Sequence, residues 1–227
     1  MRLRIAISAI GLTGALLVAA AAPSELTGRV RVVGRAAAAA VPTIVYADPL
    51  DTAPPHRPQR VKLVQRNKTF QPAVVAVPAG SIVDFTNDDL IFHNVFSLSP
   101  PQPFDLGLYR AGASKSRTFS EPAVFRVFCN IHPQMTAILL VLPTPYITET
   151  DAAGNYRLDL PAGRYRITAW SERSQPVSID VEVGLAGVTA GGLTLDESKF
   201  VELPHKNKFG QDYSKESYNP LKDKKPQ

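Results

Sequence analysis

Twenty prolines, scattered among short strand-like runs, most limit what this sequence can fold into. Proline removes a backbone hydrogen-bond donor and clashes with the preceding turn, so it interrupts α-helices. Long stretches of helical periodicity are missing between the prolines, whereas short runs such as residues 81–86 alternate apolar and polar side chains. Turn residues bound these runs, for example at residues 78–80 and 87–89. The sequence therefore predicts an all-β chain built from antiparallel sandwiches.

The scarcest metal-binding residue types of the chain cluster in one short loop. Cys129 is the only cysteine, and Met135 is the only methionine besides the initiator. His132, one of four histidines, lies midway between them, and His93 lies upstream on a strand-like run. Two imidazoles, one thiolate and a weak axial thioether form the ligand set of copper electron-transfer sites. The spacing predicts that these four side chains bind one copper ion.

Each of these residues has an ordinary structural interpretation when it is taken alone. A lone buried cysteine usually acts as a small hydrophobic residue, and a lone methionine usually fills the core. A histidine on a strand is usually a hydrogen-bonded polar group. The four residue types together, in the order of a copper ligand set, favour a metal site instead. Zinc is disfavoured because its tetrahedral sites use cysteine and histidine without a thioether, which leaves Met135 unexplained.

Residues 129–135 resemble the ligand loop of the cupredoxins, the small blue copper proteins. The short spacing is similar to that of amicyanin and pseudoazurin, and Pro133 after the histidine is an amicyanin-like feature. Asn130 and Ile131 depart from the small residues found in those relatives, which affects the detail of the loop. The chain thus resembles the plastocyanin-like proteins of methylamine utilization.

The run His93-Asn94-Val95 resembles the first-ligand segment of the same family, and the resemblance covers residues 61–142. It implies a Greek-key cupredoxin sandwich over residues 57–143 that holds one type 1 copper ion. It also implies that Asn94 braces the cysteine loop, as hydrogen-bonding partners of metal ligands often do.

The first residues of the chain have the pattern of a secretory signal peptide. A basic start is followed by an apolar, alanine-rich run that ends in small residues, over residues 1–22. The sequence therefore predicts export to the periplasm, with copper loaded outside the cytoplasm and no membrane association beyond this segment. The alternative is an uncleaved anchor, because the apolar run approaches the length that spans a bilayer.

A second sandwich is expected after the copper domain. The turn at residues 150–154 and the run at residues 160–165 resemble the carboxypeptidase regulatory-like domain, a transthyretin-like sandwich. Residues 25–50 contain strands similar to the first strands of that family, so we expect them to join residues 144–197 in one domain split by insertion. The alternative is two sandwiches in series. Trp170 could mark a sugar-binding face, but packing inside the small sandwich is favoured.

Residues 198–227 form a polar, lysine-rich tail, which we expect to be flexible or to lie on the surface. His205 within this tail and His56 within a proline-rich linker are not expected to bind metal. The formal net charge of +5 is partly located in the signal segment and the tail. No basic patch is interleaved with aromatic residues, which argues against a nucleic-acid partner.

These features predict an exported mononuclear copper protein that carries one electron at a time. His132, flanked by the apolar residues Ile131 and Pro133, is the expected electron port. Analogy suggests a periplasmic dehydrogenase or a cytochrome as the redox partner. The alternative is a copper-binding structural or cell-surface module that binds sugar or protein through its second sandwich.

Catalysis is not expected. Copper nitrite reductases use the same ligand set, but they also need a second, histidine-rich copper centre. His56 and His205 are the histidines left for such a centre, and both lie in unsuitable contexts.

Overall fold

The computed structural model describes residues 23–34, 42–201 and 204–213. Within these ranges the regular structure consists of strands β1 to β17, which confirms the all-β prediction. In the described ranges no helix has the length and apolar character needed to cross a membrane. The predicted signal peptide, residues 1–22, and the end of the predicted tail, residues 214–227, lie outside the described residues.

Nine strands in the middle of the chain form two facing sheets. One sheet has the order β4-β3-β6-β9 and the other has the order β5-β11-β10-β7-β8. Their bounds are β3 Arg60–Arg66, β4 Thr69–Gln71, β5 Val74–Pro78, β6 Ser81–Asn87, β7 His93–Ser97, β8 Phe104–Tyr109, β9 Ser114–Phe119, β10 Ala123–Phe128 and β11 Thr136–Leu142. The chain moves repeatedly from one sheet to the other, as the predicted Greek-key sandwich requires.

The expectation of purely antiparallel sheets is wrong at two places among these nine strands, and at two more in the sandwich described below, where Ser24–Val33 pairs in parallel with Val188–Thr189 and with Leu193–Asp196. Strand β3 pairs with β6 in parallel, and β5 pairs with β11 in parallel. In both cases the chain leaves one sheet and later returns to it in the same direction, so the two strands run alike. The neighbouring pairs β6–β9 and β10–β11 are antiparallel.

Alternating side chains of these strands fill the space between the two sheets. Phe85, Phe119, Phe125 and Leu139 are fully buried members of one core cluster. Truncating such a residue to alanine typically costs about 3–5 kcal/mol for a phenylalanine, so the cluster makes the sandwich rigid. The β10–β11 register pairs Phe128 with Thr136 and leaves residues 129–135 as the connecting loop at one end of this rigid body.

The remaining strands form a second, smaller sandwich. Strand β1 (Ser24–Val33) pairs with β13 (Asn155–Leu160), β16 (Val188–Thr189) and β17 (Leu193–Asp196). The facing sheet has the order β12-β2-β14-β15, with bounds β2 Ile44–Pro49, β12 Ile147–Glu149, β14 Gly163–Trp170 and β15 Val177–Val183. Leu26, Leu160 and Ile167 are fully buried between these sheets. Strands that precede the first sandwich in the chain and strands that follow it therefore share one core.

A third apolar cluster joins the two sandwiches. Ile44 and Trp170 from the second sandwich pack with Val74, Ile138 and Leu140 from the first. Trp170 is only 7% exposed, so its ring fills this contact and offers little surface to a sugar. The tryptophan therefore packs at the boundary between the sandwiches and not inside the smaller one.

Residues 144–213 on their own are expected to lack a cooperative unfolding transition. Strands β13 and β14 would lose β1 and β2, and with them much of their shared core. Urea unfolding followed by circular dichroism measures the transition. As the control, the same segment joined to residues 23–50 through a short linker should regain it. Cooperative unfolding of residues 144–213 alone would show that the division into a split domain is wrong.

Candidate metal centre

Three predicted ligands converge at the loop end of the first sandwich. The His93 Nδ1 and His132 Nδ1 atoms are 3.1 Å apart, and the Cys129 Sγ atom lies 3.9 and 3.7 Å from them respectively. All three side chains are buried. His93 is the first residue of β7, whereas the other two lie on the loop between β10 and β11. One thiol and two imidazoles within 4.8 Å of one another can hold a soft or borderline metal ion.

Backbone hydrogen bonds close the ligand loop into a tight turn. The Met135 N–H donates to the His132 carbonyl at 2.9 Å, and the Cys129 N–H donates to the Met135 carbonyl at 3.3 Å. Met135, the fourth predicted ligand, is fully buried and belongs to the same core cluster as Cys129. The loop therefore reaches back to the sandwich core at both of its ends.

Asn94 connects β7 to the cysteine loop. Its Oδ1 atom accepts a hydrogen bond from the Asn130 N–H at 3.3 Å, and its Nδ2 atom donates to Asp105 at 2.6 Å. The Asn94 backbone N–H also donates to the Cys129 sulfur. Asn94 therefore links the strand that carries His93 to the residue that follows Cys129.

Opposing effects act on the Cys129 thiol. Burial raises its pKa, and hydrogen bonds from the backbone N–H groups of Asn94, Ile131 and His132 offset part of that increase. The buried thiol is therefore protonated at neutral pH when no cation is near. The same three N–H groups already point at the sulfur, where they would stabilise the thiolate that a metal ion needs.

Asp89 is a site residue that the sequence analysis missed. Its Oδ2 atom lies 2.7 Å from His93 Nε2, and its oxygens also accept the N–H groups of Asn67 at 2.6 Å and Lys68 at 2.9 Å. Burial alone would raise the pKa of Asp89, but these hydrogen bonds outweigh it and hold the pKa below its usual range. The ionised carboxylate accepts a hydrogen bond from the Nε2–H group, which leaves the Nδ1 lone pair of His93 free to bind a metal.

The backbone around Asp89 shows how this contact is built. Asn67 and Lys68 both have φ of 54°, in the left-handed region, and this turn between β3 and β4 aims both N–H groups at the carboxylate. In the sequence, Asp89 reads as part of an ordinary turn at residues 87–89. Its position four residues before His93 was the one available signal.

The predicted electron port is only slightly open to solvent. His132 is 7% exposed and Pro133 is half-buried, whereas Ile131 is 37% exposed. Leu90 and Phe92, just before His93 in the chain, are 97% and 55% exposed. Sequence analysis did not single out these two residues, which add exposed apolar surface next to the first histidine.

Residues 204–213 of the polar tail lie against the ligand loop. The His205 Nε2 atom donates to the Pro133 carbonyl at 2.6 Å, and its ring stacks on Phe128 with centroids 4.0 Å apart. The Tyr213 hydroxyl donates to the Cys129 carbonyl at 3.1 Å. His205 therefore contacts the backbone of the loop and stays outside the cluster of three ligands.

No protein-family model matches this sequence, and no curated protein does either. Solved structures that resemble part of the chain include a copper-containing nitrite reductase from Thermus scotoductus SA-01, with 25% identity and a TM-score of 0.36. That match covers 42% of this chain and 25% of the reductase, so this chain spans a quarter of its length.

Two smaller copper proteins give similar matches. A purple cupredoxin from Nitrosopumilus maritimus is 22% identical over 36% of this chain and 99% of its own, with a TM-score of 0.34. Amicyanin from Paracoccus versutus is also 22% identical over 36% of this chain, and the match covers 80% of amicyanin with a TM-score of 0.34.

Replacing Asp89 by asparagine is expected to lower the free energy of unfolding of the metal-free protein by about 1–3 kcal/mol at pH 7, because the buried His93 ring and the N–H groups of Asn67 and Lys68 lose a charged acceptor. The folded-state pKa of Asp89 is depressed, so this stabilisation is present above the unfolded pKa of about 3.9 and is lost as the pH falls through the folded pKa. Urea unfolding at pH 7 and in steps below pH 4 measures both effects.

The neighbouring Asp88→Asn variant is the matched control. Asp88 pairs with Arg66 at 2.8 Å on the surface, where an ion pair contributes about 0–1 kcal/mol. Equal losses in the two variants at pH 7 would contradict the role of Asp89 as a partly buried anchor of His93.

Proposed function

We propose that this chain is an exported electron carrier that holds one type 1 copper ion through His93, Cys129, His132 and Met135. The observation that carries the proposal is the buried cluster of one thiol and two imidazoles at the end of a β-sandwich. Thiolate and imidazole donors bind both oxidation states of copper. A rigid sandwich keeps their positions nearly constant when an electron arrives or leaves, which lowers the reorganisation energy.

Met135 is the proposed axial donor. It lies in the same loop and the same core cluster as Cys129, and its backbone pairs with both Cys129 and His132. A thioether is a weak copper ligand, whereas zinc sites seldom include one. The donor set therefore favours copper over zinc.

The surroundings of the donors support the same metal. Asp89 fixes the His93 ring with Nδ1 toward Cys129 and strengthens it as a donor. The N–H groups around the Cys129 sulfur would hold the thiolate after its proton is released on metal binding.

An electron carrier fits this site better than an enzyme. Catalytic metal sites keep an open position for substrate, whereas three strong donors and one weak donor here would surround the ion. Exposed apolar residues, Leu90, Phe92 and Ile131, lie beside the two histidines and suit brief docking of a redox protein. A dehydrogenase or a cytochrome in the periplasm is the proposed partner, and export depends on residues 1–22.

Purified protein is expected to bind one copper ion per chain and to show an intense blue or green colour from thiolate-to-copper charge transfer. The Cys129→Ser variant should lose the colour completely, because a hydroxyl is a poor soft ligand. Metal analysis and the visible spectrum measure both properties. His56→Ala is the control and should keep the colour, since His56 lies apart from the three clustered ligands. A Cys129→Ser protein as coloured as the parent would refute the proposed site.

The Ile131→Lys variant tests the electron port. It should leave the spectrum unchanged but slow electron exchange between two copies on the order of tenfold at low salt, because like charges then meet. Val124→Lys is the matched control: its side chain is similarly exposed, at 41% against 37%, but lies near the opposite end of β10. Exchange as fast as in the parent would place the port elsewhere.

A further inference from the structure

We infer that residues 204–213, here called the strap, position the metal centre by holding the ligand loop in its metal-binding conformation before any metal arrives. The inference rests on the proposed function, since the loop is the one that carries the proposed copper ligands. The strap supplies no ligand itself. Its positioning residues are His205, Lys208 and Tyr213.

The strap contacts the loop at two backbone carbonyls. The Tyr213 hydroxyl donates to the carbonyl of Cys129, where the loop begins. The His205 Nε2 atom donates to the carbonyl of Pro133, directly after the proposed ligand His132. Buried or half-buried carbonyl groups need hydrogen-bond partners, and a loop between two strands cannot take all of them from the sheet. The strap therefore donates hydrogen bonds to carbonyl groups of this loop, as a neighbouring strand does in a sheet.

Lys208 closes a ring of polar contacts around Asn130. The Lys208 N–H donates to Asn130 Oδ1 at 3.0 Å, and its Nζ atom pairs with Asp105 at 2.8 Å. Asp105 accepts from Asn94 at 2.6 Å, and Asn94 in turn accepts the Asn130 N–H at 3.3 Å. Asn130 is thus held through its backbone and its side chain at once, and both restraints act on the residue that follows Cys129.

Ring packing covers the strand end that delivers the cysteine. The His205 ring lies on the Phe128 ring with an interplanar angle of 16°, and the Tyr213 ring meets His205 edge-on at 5.1 Å. Phe128 immediately precedes Cys129, so movement of the loop away from the sandwich would break this stack. A loop restrained in this way loses little further freedom when a metal binds, which favours tight binding and a small change in geometry.

The test uses the full-length double variant His205→Phe with Tyr213→Phe. An aromatic ring remains at both positions, so the ring stacking is kept, while the two hydrogen bonds to loop carbonyls are lost. Tyr165→Phe is the matched control, because the Tyr165 hydroxyl donates to the Pro161 carbonyl at 2.9 Å in the second sandwich. It removes the same kind of bond far from the loop.

Two measurements follow on the same proteins. In the metal-free state, iodoacetamide should alkylate Cys129 at least about tenfold faster in the double variant than in the parent, because two hydrogen bonds that keep the loop closed are lost. In the copper-loaded state, the double variant should release copper to a chelator about tenfold faster or more and should change the ratio of its visible absorption bands. The alkylation and copper-release rates of Tyr165→Phe should match those of the parent within about twofold.

A second pair of variants guards against a poorly folded double variant. Deletion of residues 204–227 should reproduce the faster alkylation and faster copper release, whereas deletion of residues 214–227 should not. Equal alkylation rates, copper-release rates and spectra in parent and double variant would overturn the inference. A parent that binds no copper would overturn the proposed function, and the alkylation rates of the metal-free proteins would still decide the role of the strap.

Discussion

The organisation of this protein depends on burying a thiol and two imidazoles at the open end of an apolar sandwich. Polar groups removed from water are costly unless they have partners. Here the partners are specific: Asp89 bonds to His93, and three backbone N–H groups bond to the Cys129 sulfur. The apolar core around Phe125 and Leu139 supplies the rigidity, and the polar layer above it sets the positions of the donor atoms. The positions of the three donor atoms therefore depend on both layers.

Three of the four proposed ligands are close in sequence, at positions 129, 132 and 135, but the groups that support the site come from much of the chain. The turn at Asn67 and Lys68 anchors Asp89, and Asp105 accepts a hydrogen bond from Asn94. The strap, which lies beyond residue 203, contacts the loop directly. Such distant supports restrain the loop from different directions. A displacement that relaxes one of them strains another, so the donor atoms are held in one arrangement.

Local signals explain what could be predicted from the sequence. The alternation of apolar and polar residues revealed the strands, and the rarity of cysteine and methionine singled out the loop at residues 129–135. Parallel pairing of β3 with β6 escaped prediction because pairing is a property of the whole topology. Asp89 looked like any turn residue. The strap was hidden because a lysine-rich composition indicates solvated chain, while its hydrogen bonds from His205 and Tyr213 go to backbone carbonyls, which have no signature in the sequence.

The second sandwich acquires a structural role from this arrangement. Its last strand ends at Asp196, and the next residue, Glu197, is buried and accepts a hydrogen bond from the Ser171 hydroxyl at 2.5 Å. The interface cluster of Trp170 with Ile138 and its neighbours fixes this sandwich against the first. The chain therefore leaves the second sandwich at a defined place beside the first, a short distance in sequence from the strap. The second sandwich can in this way serve the proposed metal centre, by delivering the strap to the loop that it restrains.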